Sequence, residues 1–153
     1  MIDKKITIAI AGLGSRGRIA YGAILLDMKD RAQVVAVADF DSQRTSLAAK
    51  EHNVKPEMVF SSVEEMLSQD KLADAVLICT QDQDHVRHAL MALDKGYDIL
   101  LEKPVSPNLD ELKKLVKKSK EVNKRVLVCH VLRYTPFFQT IKKAIDSGRI
   151  GKV

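Results

Sequence analysis

Apolar residues in this chain gather in short unbroken runs, separated by longer amphipathic stretches. The runs cover residues 6–11, 34–39, 59–60, 75–79, 99–101 and 126–129, and they are rich in valine and isoleucine. Continuously apolar runs of this kind suit strands covered on both faces. Between and after them, apolar positions recur at helical spacing over 16–28, 43–52, 63–69, 85–95, 109–121 and 137–146. The punctuation agrees with these limits. Ser62 stands three residues before Glu65, and Asn108 three before Glu111, as helix N-caps with a reciprocating acid do. Gly96 and Gly148 follow helical patterns, as helix-ending glycines do. Strands alternating with helices predict an α/β fold, a doubly wound parallel sheet with right-handed crossovers.

Length and composition narrow the picture. The 153 residues fit one domain, and 46% hydrophobic content suffices for a core. No apolar run approaches the roughly 20 residues of a membrane span. Two lysines precede the first apolar run, as in a signal peptide. That run breaks at glycines and Arg16 without a small-residue cleavage site, so the expectation is a cytoplasmic protein. Cys79 and Cys129 each close an apolar run and read as small buried thiols. A net charge of +5 raises the question of nucleic acid. However, the lysines of 111–125 fall opposite an apolar stripe of Leu109, Leu112, Leu115, Val116 and Val122, and 5% aromatics leave little for bases to stack on. Neither nucleic acid nor membrane is expected as a partner. His52, His85, His88 and His130 are too scattered to form a metal site.

The chemistry starts where the first strand meets the first helix. Gly12, Gly14 and Gly17, with Ser15 and Arg16 among them, have the spacing of a dinucleotide-binding turn. Gly12 allows a tight turn, Gly14 lets a pyrophosphate approach the backbone, and Gly17 lets the helix pack on the strand. The helix N-terminus then offers unpaired N–H groups and a positive dipole end to phosphate. Arg16 falls either at the pyrophosphate or in solvent. Asp39 closes the second strand about twenty residues on, where a carboxylate accepts hydrogen bonds from the adenosine ribose. It repels a 2′-phosphate, Phe40 and Asp41 add no positive charge, and the nearest cation, Arg44, a candidate cofactor contact, lies one helical turn further. NAD is therefore expected rather than NADP. The same glycines and acid also serve methyltransferases that use S-adenosylmethionine, so the second half must decide. There, Glu102, Lys103 and Pro104 stand at the carboxyl end of the fifth strand, the edge where open parallel sheets bind ligands.

Taken together, GLGSRG, VVAVAD with Asp39, ADAVLICTQDQDHVRHALMALDKGYDILLEKP and HVLRYTPFFQTIKKAIDSGRIGKV resemble the N-terminal domain of the Gfo/Idh/MocA oxidoreductases, the relatives of glucose-fructose oxidoreductase and inositol dehydrogenase. The likeness spans essentially the whole chain, and its most specific elements are Glu102-Lys103-Pro104 and Arg133-Tyr134-x-Pro136. It implies a Rossmann fold, with 1–130 as the dinucleotide-binding domain. Residues 131–153 would be a connecting segment and helix leading to a second, substrate domain absent from this chain. It also implies roles. Lys103 is the active-site lysine, near the nicotinamide and bonded to the reacting hydroxyl. Glu102 orients the site. Thr80 opens a loop beneath the cofactor, His85 is that loop's histidine, and Arg133 and Tyr134 line the cleft toward the nicotinamide. The loop departs from the family's Thr-Pro-Asn, reading Thr80-Gln81-Asp82. His130 reads as a satisfied polar residue. The Glu-Lys-Pro element has no role in a methyltransferase, so that alternative recedes.

The resemblance implies hydride transfer between a nicotinamide and a secondary alcohol of a sugar or cyclitol. In the family, a second domain supplies substrate contacts and groups for proton transfer. This chain then reads as the half that binds NAD without turnover, with a sugar-like substrate reached through the missing domain. The alternative is a non-catalytic dinucleotide-sensing module that presents its surface to a protein partner. Phe137, Phe138, Ile141 and Ile145 on the last helix lack an obvious cover, which favours a homo-oligomer.

Overall fold

The computed structural model describes residues 5–152. Strand β1 (Ile6–Ala11) enters the glycine loop, and a π-helical segment, Ser15–Gly22, runs directly into α1 (Ala23–Asp27). Next come β2 (Ala32–Ala38), α2 (Ser42–His52), the two-residue β3 (Val59–Phe60), α3 (Val63–Ser68) and β4 (Ala75–Ile78). The chain continues with α4 (His85–Asp94), β5 (Asp98–Leu101), α5 (Leu109–Glu121), β6 (Val126–Val128) and α6 (Pro136–Asp146). Short 3₁₀ turns at Pro56–Met58, Asp82–Asp84 and Val131–Tyr134 sit in the connections and leave no mark in the apolar pattern.

The six strands are all parallel, in the order β3-β2-β1-β4-β5-β6. This is the doubly wound order expected from the sequence. It reverses direction between β1 and β4, and ligands of such sheets lie in the crevice above that point. The second strand begins two residues earlier than its apolar run, because pairing with β1 extends back to Ile6 opposite Ala32. The register then slips between Ile8 and Ala9, leaving Val35 as the extra residue. After the slip, Ala36 and Ala38 share a face with Ala9 and Ala11.

Both faces of the central strands are covered. On one face those four alanines meet Met66 and Leu67 of α3 and Val86, Ala89, Ala92 and Leu93 of α4. On the other, Ile10, Val34, Val37 and Leu77 meet Ala48 of α2, with Tyr21 and Leu25 alongside. The helices start where the sequence placed caps. Ser62 accepts from the Glu65 N–H, Asn108 accepts from the Asp110 and Glu111 N–H groups, and Asp41 caps α2. The cover ends at the sheet's far edge. Leu127 of β6 is 61% exposed, and α6 packs chiefly against the turn before it, leaving Phe137, Phe138, Ile141 and Ile145 open to solvent. Among the described residues no helix is long and apolar enough to cross a membrane.

The first helix departs from the α-helix predicted over 16–28. Its first eight residues are π-helical. The cause lies in two glycines. A Cβ on Gly17 would stand 1.9 Å from the Gly12 carbonyl oxygen, so the helix presses on the loop backbone as no larger residue allows. A Cβ on Gly22 would stand 3.2 Å from the Gly17 carbonyl oxygen, five residues earlier, and 3.2 Å from His52 Nε2. The widened turn thus stacks glycine on glycine and seats the His52 ring.

This contact makes a stability prediction. Gly17→Ala should cost at least about 3 kcal/mol, because backbone would have to move against backbone. Gly14→Ala, whose Cβ would meet only Arg44 Nη1 at 4.0 Å, should cost less than about 1 kcal/mol. Urea unfolding of the two variants against the parent chain measures both.

Candidate functional site

The crevice above β1 and β4 is built first from backbone. Gly12 has φ +90°, and a Cβ there would lie 2.6 Å from the Cys79 carbonyl oxygen, so only glycine makes this turn. The turn is fixed by Asp39, which lies just past the end of β2. Its Oδ2 accepts the Leu13 N–H at 2.6 Å, and its Oδ1 accepts the Asp41 N–H at 2.9 Å. Although only 5% exposed, Asp39 lines the cleft, and each of its oxygens keeps a further lone pair. Gly14 begins the helix without any side-chain cap, and Ser15 is exposed, so the first-turn amides remain available to a ligand.

Arg44 is closer than the sequence placed it. Its Nη1 lies 4.0 Å from Asp39 Oδ1 and its Nε 3.3 Å from Asp41 Oδ2. The guanidinium also covers the Phe40 ring, 5.9 Å from the centroid. Capping by Asp41 turns α2 so that this first-turn side chain swings back over the strand end. Arg44 therefore lines the cleft as a cation already shared between two carboxylates.

The opposite wall comes from α3, α4 and the loop after β4. Thr80 Oγ1 is 3.0 Å from His88 Nδ1, and His88 Nε2 is 3.1 Å from Glu64 Oε1. Glu64 also pairs with Arg87, which bonds Asp84 Oδ1 at 2.7 Å. His88 is 3% exposed, and all five residues line the cleft. Arg87 above all, with His88, holds the Glu64 carboxyl down at about 2. Sequence reasoning set His88 aside as one of four scattered histidines and passed over Glu64 and Arg87. The available signal was the three-residue spacing from His85, which puts His88 on the inward side of α4.

At the carboxyl end of β5 a second cluster forms around Glu102, which is 4% exposed. It accepts the Tyr21 hydroxyl at 2.5 Å and the Lys103 N–H at 3.1 Å. Arg16 Nε lies 3.7 Å away, so Arg16 leans toward Glu102. Tyr21, which the sequence did not single out, faces this cluster from the π-helical turn. Burial pushes its hydroxyl, and the Cys79 and Cys129 thiols, above their ordinary ranges. Lys103 is exposed, and among the described residues its ammonium has no hydrogen-bond or ion-pair partner.

This constellation has known counterparts. The model of an oxidoreductase family with an NAD-binding Rossmann fold, Gfo/Idh/MocA, matches residues 6–130. The chain belongs to the Gfo/Idh/MocA family. Among curated relatives, oxidoreductase P35 of Formosa agariphila is 30% identical over 99% of this chain and 46% of its own length. The inositol 2-dehydrogenase of Rubrobacter xylanophilus is 28% identical over 97% and 42%. The chain thus spans less than half the length of these relatives. Among solved structures, WlbA dehydrogenase from Bordetella pertussis, in complex with NADH and UDP-GlcNAcA, superposes with a TM-score of 0.85 at 30% identity, over 97% of this chain and 44% of that one. Scyllo-inositol dehydrogenase from Lactobacillus casei, with bound NAD(H) and scyllo-inositol, gives 0.87 at 25% identity, over 97% and 43%.

The residues singled out in the sequence occupy different places. Gly12, Gly14, Asp39, Arg44 and Thr80 line one cleft. Glu102 and Lys103 mark the adjoining strand end. His85, grouped with the cofactor residues on sequence, lies beneath the cleft instead. It is 1% exposed, with Nδ1 2.7 Å from the Pro104 carbonyl and Nε2 3.1 Å from the Thr80 carbonyl. It sits between the loops after β4 and β5 and donates its ring N–H to one of these two carbonyls. Arg133 and Tyr134 do not join the cleft either. They sit on the exposed turn before α6, where Arg133 borders a separate groove with Phe138 and Lys142, and Tyr134 is 77% exposed. The backbone carries them past the sheet edge before they can turn inward.

The wall of the cleft has a measurable pH signature. Glu64 is depressed from near 4.5 to about 2, so its ion pair stabilises the fold above pH 4.5, and that stability is lost as pH falls toward 2. The side chain is 44% exposed, so screening reduces the contribution to about 1 kcal/mol. Glu64→Gln should remove it and flatten the unfolding free energy across that pH range, as read by urea titrations at successive pH values.

Proposed function

We propose that this chain is the NAD-binding half of a dehydrogenase that moves a hydride between C4 of a nicotinamide and a carbon bearing a secondary hydroxyl, on a cyclitol or sugar. One observation carries the reading. At the switch point of the sheet, a glycine loop, a buried carboxylate at the end of β2 and a lysine at the end of β5, unpaired among the described residues, share one edge. The inositol named for one solved relative and the nucleotide sugar named for another support the substrate class.

The residues fit the group. The amides from Gly12 to Gly17 would receive the pyrophosphate. Asp39 has lone pairs left for the ribose hydroxyls, and Thr80 lines the same cleft. When bound, NAD supplies the hydride acceptor. Lys103 donates a hydrogen bond to the substrate oxygen and stabilises charge that develops on it. Glu102 fixes the Lys103 backbone, with Tyr21 and Arg16 holding Glu102 in turn. NAD is favoured over NADP because Asp39 opposes a 2′-phosphate, while Arg44 is already shared between Asp39 and Asp41. Hydride transfer also needs a held substrate and a proton acceptor. His85 is buried beneath the cleft, away from a substrate, so on this reading the chain alone binds without turnover. The apolar face of α6 supports self-association at high concentration.

Calorimetric titration tests the binding. NAD should bind, NADP at least about tenfold more weakly, and Asp39→Ala should weaken NAD by more than about tenfold. A folded chain with no affinity for NAD would sink the reading. In the full-length protein, Lys103→Ala should lower turnover at least about a hundredfold with NAD affinity unchanged. A sensing module would show no dependence on Lys103. Sedimentation velocity across a concentration series should show assembly, and a strictly monomeric chain would remove that part of the proposal.

A further inference from the structure

The geometry points to His88 as a positioning residue for the cofactor, fixing the direction in which the Thr80 hydroxyl hydrogen-bonds. The inference rests on reading the cleft as the adenosine end of an NAD site. Three partners stand in line: Glu64 Oε1, the His88 ring and Thr80 Oγ1, at 3.1 Å and 3.0 Å. Glu64, paired with Arg87, stays ionised and can only accept. His88 Nε2 must therefore carry the hydrogen that faces it. In the neutral ring Nδ1 is then a bare acceptor, so the Thr80 hydroxyl spends its one hydrogen on His88. What Thr80 keeps for a ligand is lone pairs alone.

Thr80 set in this way accepts from N–H and O–H groups of a ligand and has no hydrogen to give to phosphate. Asp39, Glu64 and Asp84 are acceptors beside it, and the guanidiniums of Arg44 and Arg87, each paired with two of the neighbouring carboxylates, are the side-chain donors of the cleft. His88 is 3% exposed on α4 and is held at both nitrogens, so it has no freedom to rotate and release Thr80.

The test is a double-mutant cycle on NAD binding by the whole chain, read by calorimetry, with thermal unfolding as the control for fold. Thr80→Val and His88→Phe should each raise the NAD Kd about tenfold. Combined, they should do no more than either alone, because both remove one contact. His88→Gln, whose amide offers a donor to Glu64 and an acceptor to Thr80, should return the Kd to within about threefold of the parent. Glu64→Ala, at a half-exposed position, removes the acceptor facing His88 and repeats the test without touching buried packing. It should weaken NAD alone and have no effect beside Thr80→Val. Effects that multiply in the combined variants, or a His88→Phe chain that binds as tightly as the parent, would overturn the inference. A parent chain that binds no NAD would overturn the underlying reading as well, and so is told apart from a failure of His88 alone.

Discussion

The hydrogen bond from the Leu13 N–H to the Asp39 carboxylate, 2.6 Å long and buried, is the constraint on which the cleft depends. It joins the loop after β1 to the end of β2, 26 residues apart. A charge-assisted bond in a buried setting is stronger than an ordinary amide bond, and removing the acceptor would leave an unpaired amide. The same carboxylate takes the Asp41 N–H and draws in Arg44. A single acid therefore sets the glycine loop, the start of α2 and the cation at the rim. Its remaining lone pairs face the cleft, so the group that holds the loop is also exposed to whatever enters there.

Much of this was legible in the chain because it is local. Each strand contains a largely apolar run, and each cap at Ser62 and Asn108 is a short-range hydrogen bond that residue type alone announces. The glycine spacing and Asp39 were legible for the same reason. What escaped notice depends on elements distant in sequence meeting in space. Glu64 and His88 lie 24 residues apart, on two helices whose closeness follows from the sheet between them. Tyr21 and Glu102 lie 81 apart. How near Arg44 comes to Asp39 depends on where α2 begins, which residue type alone does not fix. His85, Arg133 and Tyr134 were given roles by likeness rather than by position. Only coordinates separate a strut under a cleft, or a turn beyond the sheet edge, from a side chain in the cleft.

The two ends of the sheet are finished differently. Near β1 and β4, both faces are closed by helices. Near β6, apolar side chains meet solvent, and α6 projects with its aromatic pair, Phe137 and Phe138, edge to face at 5.2 Å. The ordered cleft and the bare edge lie on opposite flanks of β5, and Lys103 stands between them. That arrangement places Lys103, an unpaired cation among the described residues, beside the surface the domain leaves open.

The alanine lining of one sheet face has a consequence for how the cleft is dimensioned. Ala9, Ala11, Ala36 and Ala38 are so short that α3 and α4 settle almost onto the backbone of the strands. Those helices carry Glu64 and His88, so the depth of this layer sets the aperture of the mouth above it. Each methyl acts as a shim, and a bulkier residue far below the opening would widen it without altering anything a ligand touches.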